Sequence, residues 1–244
     1  MTRLHVVCPV YHEQDNIPRL WEEVQRHFRF SYRLHFVYDR VDDPTVPVLQ
    51  SLQQQAPDRI ALIHNPTGGV LNALKTGFRK MPPDVPVLVM MADLSDDLQV
   101  VEQMIAAWHR GVKVVVASRY MLGGRQIGGP PLKRFLARLA GNSLYWLRRM
   151  PVHDVTNNFR LYDSNFLESV QIESEGGFEV ALELTVKAVR AGLPIAEIPA
   201  TWRDRSTGVS RFKLMKWLSH YLRWYFLALR PLGVRRSGSA PRLI

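Results

Sequence analysis

Short apolar runs alternate with amphipathic segments along the first half of the chain. Strands that alternate with helices of about ten residues are typical of βαβ units. Uninterrupted apolar strands indicate a sheet that is covered on both faces. The sequence therefore predicts an α/β fold with a mostly parallel, Rossmann-like sheet and flanking helices. The predicted strands are Leu4–Val10, Leu34–Tyr38, Ile60–Ile63, Val87–Met91 and Val112–Ala117, and the predicted helices are Ile17–Phe28, Pro47–Gln55, Val70–Met81 and Val100–His109.

The second half of the chain is less regular. A glycine- and proline-rich stretch over residues 123–131 predicts a flexible loop, and a helix with several basic residues follows over 132–150. A dense polar cluster over 153–160 comes next. Beyond it we predict a helix over Phe178–Ala191, ended by Gly192, and a short strand over Ile195–Ile198.

Polar residues stand where four of the predicted strands end. Tyr11, His12 and Glu13 follow the first strand, Asp39 the second, His64 and Asn65 the third, and Asp93 the fourth. Ligands of open parallel sheets bind beyond the carboxyl ends of the strands. We therefore predict a ligand site there, although each residue alone could equally be a polar loop-start or helix-capping residue.

Three carboxylates, Asp93, Asp96 and Asp97, are clustered just after the fourth strand. Oxygen ligands of this kind suit a hard divalent cation, Mg²⁺ or Mn²⁺. An alternative for Asp96 and Asp97 is capping of the next helix. Asp93 lies nearest the strand end and is the better candidate ligand.

No nucleophile–base set and no Cys/His metal spacing stands out in the sequence. The one cysteine, Cys8, lies inside the first predicted strand and is expected to be a small core residue. A single cysteine allows no intramolecular disulfide, which favours a reducing compartment. Chemistry that depends on positioning and charge neutralisation fits this inventory.

The positive charge is concentrated at the C-terminus. The chain has a net charge of +10, but residues 205–244 hold nine Lys/Arg and no acid, while the other 204 residues carry only +1. On a helix over Phe212–Arg230 the apolar side chains fall on one side and the cationic ones on the other, with the tryptophans at the border. This pattern predicts a helix that lies in an anionic membrane interface. The predicted membrane contacts are Lys213, Lys216, Trp217, Arg223 and Trp224.

Two other interpretations of the basic helix stay open: a terminal helix that packs on its own domain, and a nucleic-acid-binding segment. No nucleic-acid-binding motif accompanies the charge, so we expect no nucleic-acid partner. No apolar stretch reaches the ~18 residues that a spanning helix needs. The N-terminus enters a strand-like run at once, and we expect no signal peptide.

Several short motifs occur in an order that resembles family 2 glycosyltransferases, in particular the dolichol- and polyprenol-phosphate mannosyltransferase branch. The opening run over residues 7–17 is similar to the family's V-x-P-x-Y-N-E-x-x-N-I, and Ser118-Arg119-Tyr120 to its SRY motif. Further matches are the run over 154–162, Phe178 with Glu183, the run over 197–199 and the run over 204–210. The resemblance covers roughly residues 4–212.

The resemblance implies a GT-A fold, a nucleotide-sugar donor and a divalent metal ion. It maps nucleotide-sugar recognition onto Pro9, Tyr11, Glu13 and Asp39, and metal and diphosphate binding onto Asp93. By the same match, Arg119 and Arg134 hold an acceptor phosphate, and Arg205 lies over the diphosphate. Arginine suits both tasks because its planar guanidinium binds phosphate through two donors.

The sequence departs from the family at several positions. Asp39-Arg40 stands where the family has two acids, and Met91-Ala92-Asp93 where it has a D-x-D. Asp96 or Asp97 is the candidate replacement for the lost carboxylate. Arg138 stands where the family often has Ser, and we predict that it joins the acceptor-phosphate arginines.

We therefore expect an enzyme that transfers a hexose from GDP-mannose or a UDP-hexose to a polyprenyl-phosphate lipid, with inversion and with Asp93, Arg119 and Arg205 at the reaction centre. Residues 1–211 would form the GT-A domain and residues 212–244 a membrane-associating tail. The enzyme would be peripheral on the cytoplasmic face of a membrane. The alternatives are a soluble, polysaccharide, carotenoid-like or glycolipid acceptor, or a non-catalytic nucleotide-sugar or nucleic-acid binder.

Overall fold

The computed structural model describes residues 3–147, 150–204 and 214–231, with the side chains of residues 133 and 214–217 left outside the description. Nine strands lie within these ranges. They are β1 (Leu4–Val10), β2 (Tyr32–Tyr38), β3 (Ile60–His64), β4 (Pro86–Val89), β5 (Val114–Ser118), β6 (Arg125–Ile127), β7 (Arg160–Asp163), β8 (Ile195–Pro199) and β9 (Thr201–Arg203).

Eight α-helices connect or follow these strands in the described residues. They are α1 (Ile17–His27), α2 (Thr45–Gln55), α3 (Val70–Phe78), α4 (Val101–His109), α5 (Pro131–Trp146), α6 (Ser164–Ser169), α7 (Val180–Arg190) and α8 (Leu214–Leu229). All five strands and four helices predicted in the first half of the chain are present, with ends that differ by a few residues.

Seven strands form one sheet in the order β3-β2-β1-β4-β7-β5-β8. Its neighbours are parallel except where β7 pairs with β4 and β5. The predicted α/β fold with a mostly parallel sheet is therefore confirmed. Because β1 to β4 run in one direction, their carboxyl ends reach the same edge of the sheet.

The sheet is covered on both faces, as its apolar strands predict. Val6 and Cys8 point to one face and pack with α1 and α4, whereas Val7 points to the other and packs with α3 and α7. Cys8 is fully buried, as expected for a core residue. The double cover explains why these strands are continuous apolar runs.

The antiparallel strand β7 and the small sheet of β6 and β9 were not predicted. β7 lies in the segment that the sequence marks as a polar cluster, and it begins with a fully buried arginine, Arg160. The Arg160 guanidinium donates to the carbonyl oxygens of Asp154, Asn157 and Ala181 and to Thr185 Oγ1. These acceptors satisfy the buried donors, so a charged side chain stands inside the core.

Helix α8 packs against the domain. Trp224 is 1% exposed and lies with Ala228 in the same core cluster as residues of α3 and α7. The prediction that Trp224 contacts a membrane is therefore wrong, because packing on α7 buries the Trp224 side chain. The described part of the predicted tail shares the core of the domain, and the division of the chain at residue 211 stays a prediction.

Three other predicted membrane contacts fall outside the description. Lys213 is not among the described residues, and nothing is described of the Lys216 and Trp217 side chains. Arg223 is about half exposed and pairs with Glu173 at 2.7 Å. Within the described residues, we find no helix long and apolar enough to cross a membrane.

Candidate active site

Asp39 connects the end of β2 to the turn before α3. Its Oδ1 accepts a hydrogen bond from Asn65 Nδ2 and its Oδ2 one from the Gly69 amide, both at 2.7 Å. Gly69 has φ 86°, a backbone conformation that glycine adopts without strain. The glycine turn, which sequence alone gives no reason to connect with Asp39, is therefore part of its surroundings. Asn65, buried at the end of β3, is a second member of this group.

The loop after β1 is held by two residues that sequence analysis missed. The His12 amide donates to Asp43 Oδ2 at 3.0 Å, and the Glu13 amide donates to Thr45 Oγ1 at 2.8 Å. Asp43 is buried, yet the hydrogen bonds from Thr45 and His12 outweigh burial and hold its pKa below the usual value. An Asp-x-Thr at the start of a helix was the available signal.

Tyr11, Glu13 and Pro9 are thus fixed on a rigid strand end. Tyr11 is 40% exposed, and Glu13 Oε2 accepts a hydrogen bond from Asn16 Nδ2 at 2.6 Å. Pro9 pairs in register with Val37, one residue before the end of β2. The structure accordingly brings the predicted nucleotide-sugar residues of β1 next to the strand that ends at Asp39.

The three carboxylates after β4 serve different purposes. Asp93 Oδ1 accepts hydrogen bonds from the Ser95 hydroxyl at 2.6 Å and from the Ser95 amide at 3.2 Å. Asp97 Oδ1 accepts from the Gln99 amide, and its Oδ2 accepts from the Thr201 amide at 2.9 Å. Asp97 therefore caps a helical turn and ties it to β9.

Asp96 accepts a hydrogen bond from the Met91 amide at 3.0 Å. Burial, and after it the charge of Asp93, raises the pKa of Asp96 to about 8, so its carboxyl group is mostly neutral at pH 7. Within the residues that the structure describes, no three His, Cys, Asp or Glu side chains form a metal site. The predicted ligand set of Asp93, Asp96 and Asp97 is thus not formed, because Asp97 is used as a cap.

Arg119 follows β5 and forms a two-point ion pair with Asp154. Its Nε lies 2.7 Å from Asp154 Oδ2 and its Nη2 lies 2.9 Å from Oδ1, while its own amide also donates to Oδ2 at 3.0 Å. The Asp154 side chain is fully buried and that of Arg119 is 11% exposed. Burial disfavours both charges, but their mutual attraction outweighs it, lowering the pKa of Asp154 and raising that of Arg119. The guanidinium is thus permanently charged and fixed in direction.

The other predicted phosphate arginines differ in setting. Arg134 and Arg138 lie one helical turn apart on α5, and both are exposed. Arg205 lies outside the described residues. The structure therefore separates one buried, oriented arginine from two on a solvent-facing helix.

Helix α5 exposes a large apolar surface beside these arginines. Leu132 is 63% exposed, Phe135 61% and Leu139 49%, and Trp146 at its end is 70% exposed. A second apolar stripe, Leu218, Leu222 and Phe226, is exposed on α8, which contacts α5 through a 2.8 Å hydrogen bond between the Ser143 and Tyr225 hydroxyls. Exposed apolar patches of this kind mark interaction surfaces. α5 was not predicted to be such a surface. Its Leu and Phe residues, spaced at three and four positions, indicate an apolar side of the helix but not that this side stays exposed.

Solved structures of a similar fold are glycosyltransferases. Crystal structures of glucosyl-3-phosphoglycerate synthase from Mycobacterium tuberculosis, one in complex with Mn²⁺, UDP and glucosyl-3-phosphoglycerate, match with a TM-score of 0.64 and 17% identity. The match covers 97% of this chain and 82% of that one. The fold is therefore that of GT-A glycosyltransferases, as expected.

Two curated relatives are similar in sequence. Polyprenol monophosphomannose synthase of Mycolicibacterium smegmatis is 27% identical over 230 residues, which are 88% of this chain and 86% of that protein. Dolichol-phosphate mannosyltransferase of Pyrococcus furiosus is 24% identical over 229 residues, which are 91% of this chain. The match spans only 63% of the Pyrococcus protein.

The family itself follows from a match over most of the chain. Residues 5–170 match the family described as "Glycosyl transferase family 2". This range contains the ends of β1, β2 and β4 and the Arg119–Asp154 pair. The chain belongs to glycosyl transferase family 2, and the resemblance inferred from its short motifs is confirmed.

Proposed function

We propose that this glycosyltransferase moves a hexose from a nucleotide-diphosphate sugar to a polyprenyl-phosphate lipid at a membrane surface. The observation that carries the proposal is the composition of α5, which follows the Arg119 strand and exposes arginines and large apolar side chains together. A ligand with a phosphate at the end of an apolar tail matches both features. The named substrates of the two curated relatives support the same acceptor class.

The donor is assigned to the carboxyl edge of β1, β2 and β4. Asp39 and Glu13 supply carboxylates for a nucleoside, and Asp93 stands where the diphosphate would lie. GDP-mannose and UDP-hexoses are the candidate donors: the names of the curated relatives favour mannose, and the UDP complexes of the structural neighbours favour uridine.

Asp93 could supply one ligand to a divalent cation, and the phosphates of the donor would supply others. Mg²⁺ and Mn²⁺ are commonly held by one or two carboxylates together with the phosphates of a substrate, and Asp93 is one such carboxylate at the right strand end. Such an ion would neutralise charge on the leaving diphosphate. Mn²⁺ in the complexes of the structural neighbours supports this assignment.

The reaction needs little proton transfer from the protein. A phosphate monoester is mostly dianionic at neutral pH, so its oxygen is already a nucleophile. That oxygen forms a bond to the anomeric carbon of the hexose as the bond to the diphosphate oxygen breaks, and the nucleoside diphosphate leaves. A single displacement of this kind inverts the anomeric centre. Arg119, oriented by Asp154, would hold the acceptor phosphate, with Arg134 and Arg138 on α5 as further contacts.

The membrane contact is assigned to α5 and to the exposed stripe of α8. Phe135 and Leu139 would enter the interface while Arg134 and Arg138 meet anionic headgroups. Neither α5 nor the chain from residue 205 onward contains an acid that would repel such a surface. We place the enzyme on the cytoplasmic face of that membrane, in line with its single buried cysteine and the reducing compartment this favours.

A soluble phosphorylated acceptor is the second candidate. The structural neighbours named glucosyl-3-phosphoglycerate synthase carry phosphoglyceric acid in their complexes. Arg119 would serve such a phosphate equally well. The exposed apolar residues of α5 have no task in that reaction, which is why the lipid is preferred.

The deciding experiment offers both acceptors to the purified full chain. GDP-mannose and UDP-glucose are each supplied with Mn²⁺, and the acceptor is either a polyprenyl phosphate in vesicles with anionic lipid or 3-phosphoglycerate in solution. We expect transfer to the vesicle-borne lipid and none to 3-phosphoglycerate. Transfer to 3-phosphoglycerate alone would replace the lipid proposal, and nucleotide-sugar binding without transfer to either would indicate a non-catalytic relative.

A further inference from the structure

His153 is held by both oxygens of one carboxylate. Its ring Nδ1 lies 2.5 Å from Glu197 Oε1, and its backbone amide donates to Glu197 Oε2 at 2.9 Å. Glu197 belongs to β8, the edge strand that pairs with β5, and its side chain is 10% exposed. Because both carboxylate oxygens bind one residue, the position of residue 153 is fixed relative to the sheet.

Helix α5 rests directly on this residue. The Tyr145 ring stacks on the His153 imidazole with 3.7 Å between centroids and 28° between planes. One turn earlier, Gly141 approaches so closely that a Cβ at this position would lie 1.9 Å from the His153 carbonyl oxygen. These two contacts leave no gap between α5 and residue 153.

The next residue along the chain is the one that orients Arg119. Asp154 receives three hydrogen bonds from Arg119, one from its amide and two from its guanidinium. The residue that contacts α5, His153, and the residue that orients Arg119, Asp154, are therefore consecutive in the chain. Only one planar peptide unit separates residue 153 from Asp154, and the side chain of Asp154 is itself fixed by Arg119, so we expect a displacement of residue 153 to reach this ion pair.

We propose that His153 and Glu197 are positioning residues that hold α5 and Arg119 at one fixed spacing, so that a single acceptor can contact both. This inference rests on the proposed function, in which Arg119 meets the acceptor phosphate and α5 meets its apolar tail. His153 suits this place because its Nδ1 can donate to Glu197 while the flat face of its ring stacks on Tyr145.

The first experiment tests, without any substrate, whether the position of Arg119 depends on the contacts of His153 with α5 and Glu197. The Nε–H of Arg119 donates to Asp154 at 2.7 Å, and such a buried proton exchanges slowly with solvent. Its NMR signal is assigned by its loss in an Arg119→Lys variant. Tyr145→Ala and Glu197→Gln are expected to shift this signal and to accelerate its exchange. Tyr145→Phe keeps the stacked ring, and Glu168→Gln makes the same chemical change on the exposed surface of α6, so both controls are expected to leave the signal in place.

Kinetics then test what the spacing does. Tyr145→Ala and Glu197→Gln are expected to raise the KM for the polyprenyl phosphate about 10-fold, since small displacements of binding groups are costly. The KM for the nucleotide sugar should stay within about twofold, because Asp39 and Asp93 lie beyond the ends of other strands, β2 and β4. Tyr145→Phe, which keeps the stacked ring, should have a KM for the polyprenyl phosphate close to that of the wild type.

Two results would overturn the inference. One is an Arg119 signal that does not move in Tyr145→Ala and Glu197→Gln, which would mean that α5 and Arg119 are independent. The other is an equal rise of both KM values, which would indicate a general structural role. Failure of the proposed function would be seen separately: the Arg119 signal would still shift in the two variants, but the wild-type protein would transfer no sugar to the lipid.

Discussion

The ammonium group of Lys187 on α7 lies 5.2 Å from the centroid of the Trp224 ring on α8. The guanidinium of Arg223 lies 5.0 Å from the same centroid and pairs with Glu173. Cations over a tryptophan face are attracted to its π electrons. Trp224 is therefore a buried contact between α8 and α7, beside Ala228 and the Ser143–Tyr225 hydrogen bond to α5.

Replacing Trp224 by Ala should lower the free energy of unfolding by about 3–5 kcal/mol, because a large buried side chain is lost and a cavity remains. Phe226→Ser, two residues further along α8 on its exposed stripe, should change it by less than about 0.5 kcal/mol. Urea denaturation of both variants measures the difference. Equal stabilities would show that α8 is not anchored through Trp224.

Membrane binding should depend on α5. Phe135→Ser combined with Leu139→Ser removes two exposed apolar side chains from the proposed contact, and burying such side chains contributes about 1.5–3 kcal/mol each. We expect co-sedimentation with anionic vesicles to fall by at least about 10-fold. Val41→Ser, which removes a 71% exposed apolar residue near the donor edge, is the matched control and should bind as wild type. Unchanged binding of the α5 variant would assign the membrane contact elsewhere.

Substitutions of Asp93 and Asp97 should have different effects on activity when Mn²⁺ is titrated. Asp93→Asn should lower kcat by about 10²–10³-fold at saturating Mn²⁺, because charge on the diphosphate loses its partner. Asp97→Asn should keep kcat within about twofold and cost about 1 kcal/mol of stability as a weakened cap. If Asp97→Asn instead lowers kcat, or the apparent affinity for Mn²⁺, as much as Asp93→Asn does, Asp97 would be a metal ligand, as the sequence predicts.

Asp154→Asn should weaken both stability and catalysis. The substitution leaves the largely buried Arg119 without its counter-charge, which we expect to lower the free energy of unfolding by about 3 kcal/mol. Thermal and urea unfolding measure this loss. A stability equal to that of the wild type would mean that Arg119 finds another acceptor.

Acid should destabilise the fold through His5 and His35. Burial, with neighbouring Arg3 and Arg33, lowers the pKa of His5 to about 4, and burial and His5 lower that of His35 to about 3. The rings lie 5.1 Å apart, with His5 Nδ1 2.9 Å from His35 Nε2. In the unfolded chain both would titrate near 6.5, so the unfolded state binds more protons as the pH falls below that value.

The two histidines should therefore lower the stability from about pH 6.5 down to pH 4, each with a slope of up to about 1.4 kcal/mol per pH unit. The raised pKa of Asp96 acts in the opposite direction over this range and offsets about one such slope, so we expect a net decrease with about the slope of a single histidine. The free energy of unfolding, measured by urea at intervals over this range, gives the slope. A His5→Gln, His35→Phe variant should lose this decrease in the same window. An unchanged slope in that variant would assign the acid sensitivity to other groups.

Much of the fold could be predicted because β1, β2, β4 and β5 are largely buried on both faces and, like β3, appear in the sequence as apolar runs. β7 escaped prediction because it has only four residues and begins with Arg160, whose burial depends on carbonyl groups of distant segments. β6 and β9 have three residues each, too few for a periodic pattern. The exposure of α5 and α8 could not be read from periodicity, which shows that a helix has an apolar side but not which neighbour will cover it.

The sequence predicts the location of those candidate site residues that directly follow a strand. Asp39 and Asp93 follow strands directly, and their location could be inferred from the fold class. Asp43 and Thr45, which hold the loop after β1, could not be assigned because their partners are backbone amides about 30 residues away. The ion pair of Arg119 with Asp154 depends on β7, which brings residue 154 beside the end of β5.

Strand β7 also determines when the sheet can be completed during synthesis. Arg160 pairs with Val89 of β4 on one side and with Val116 of β5 on the other. Until residues 160–163 have left the ribosome, the sheet of the first four strands ends at an open edge and β5 has no partner between them. Strand β7 thus joins β4 to β5 only after most of the sheet has been synthesised, and a nascent chain that stops before β7 exposes the unpaired edges of β4 and β5 to its neighbours.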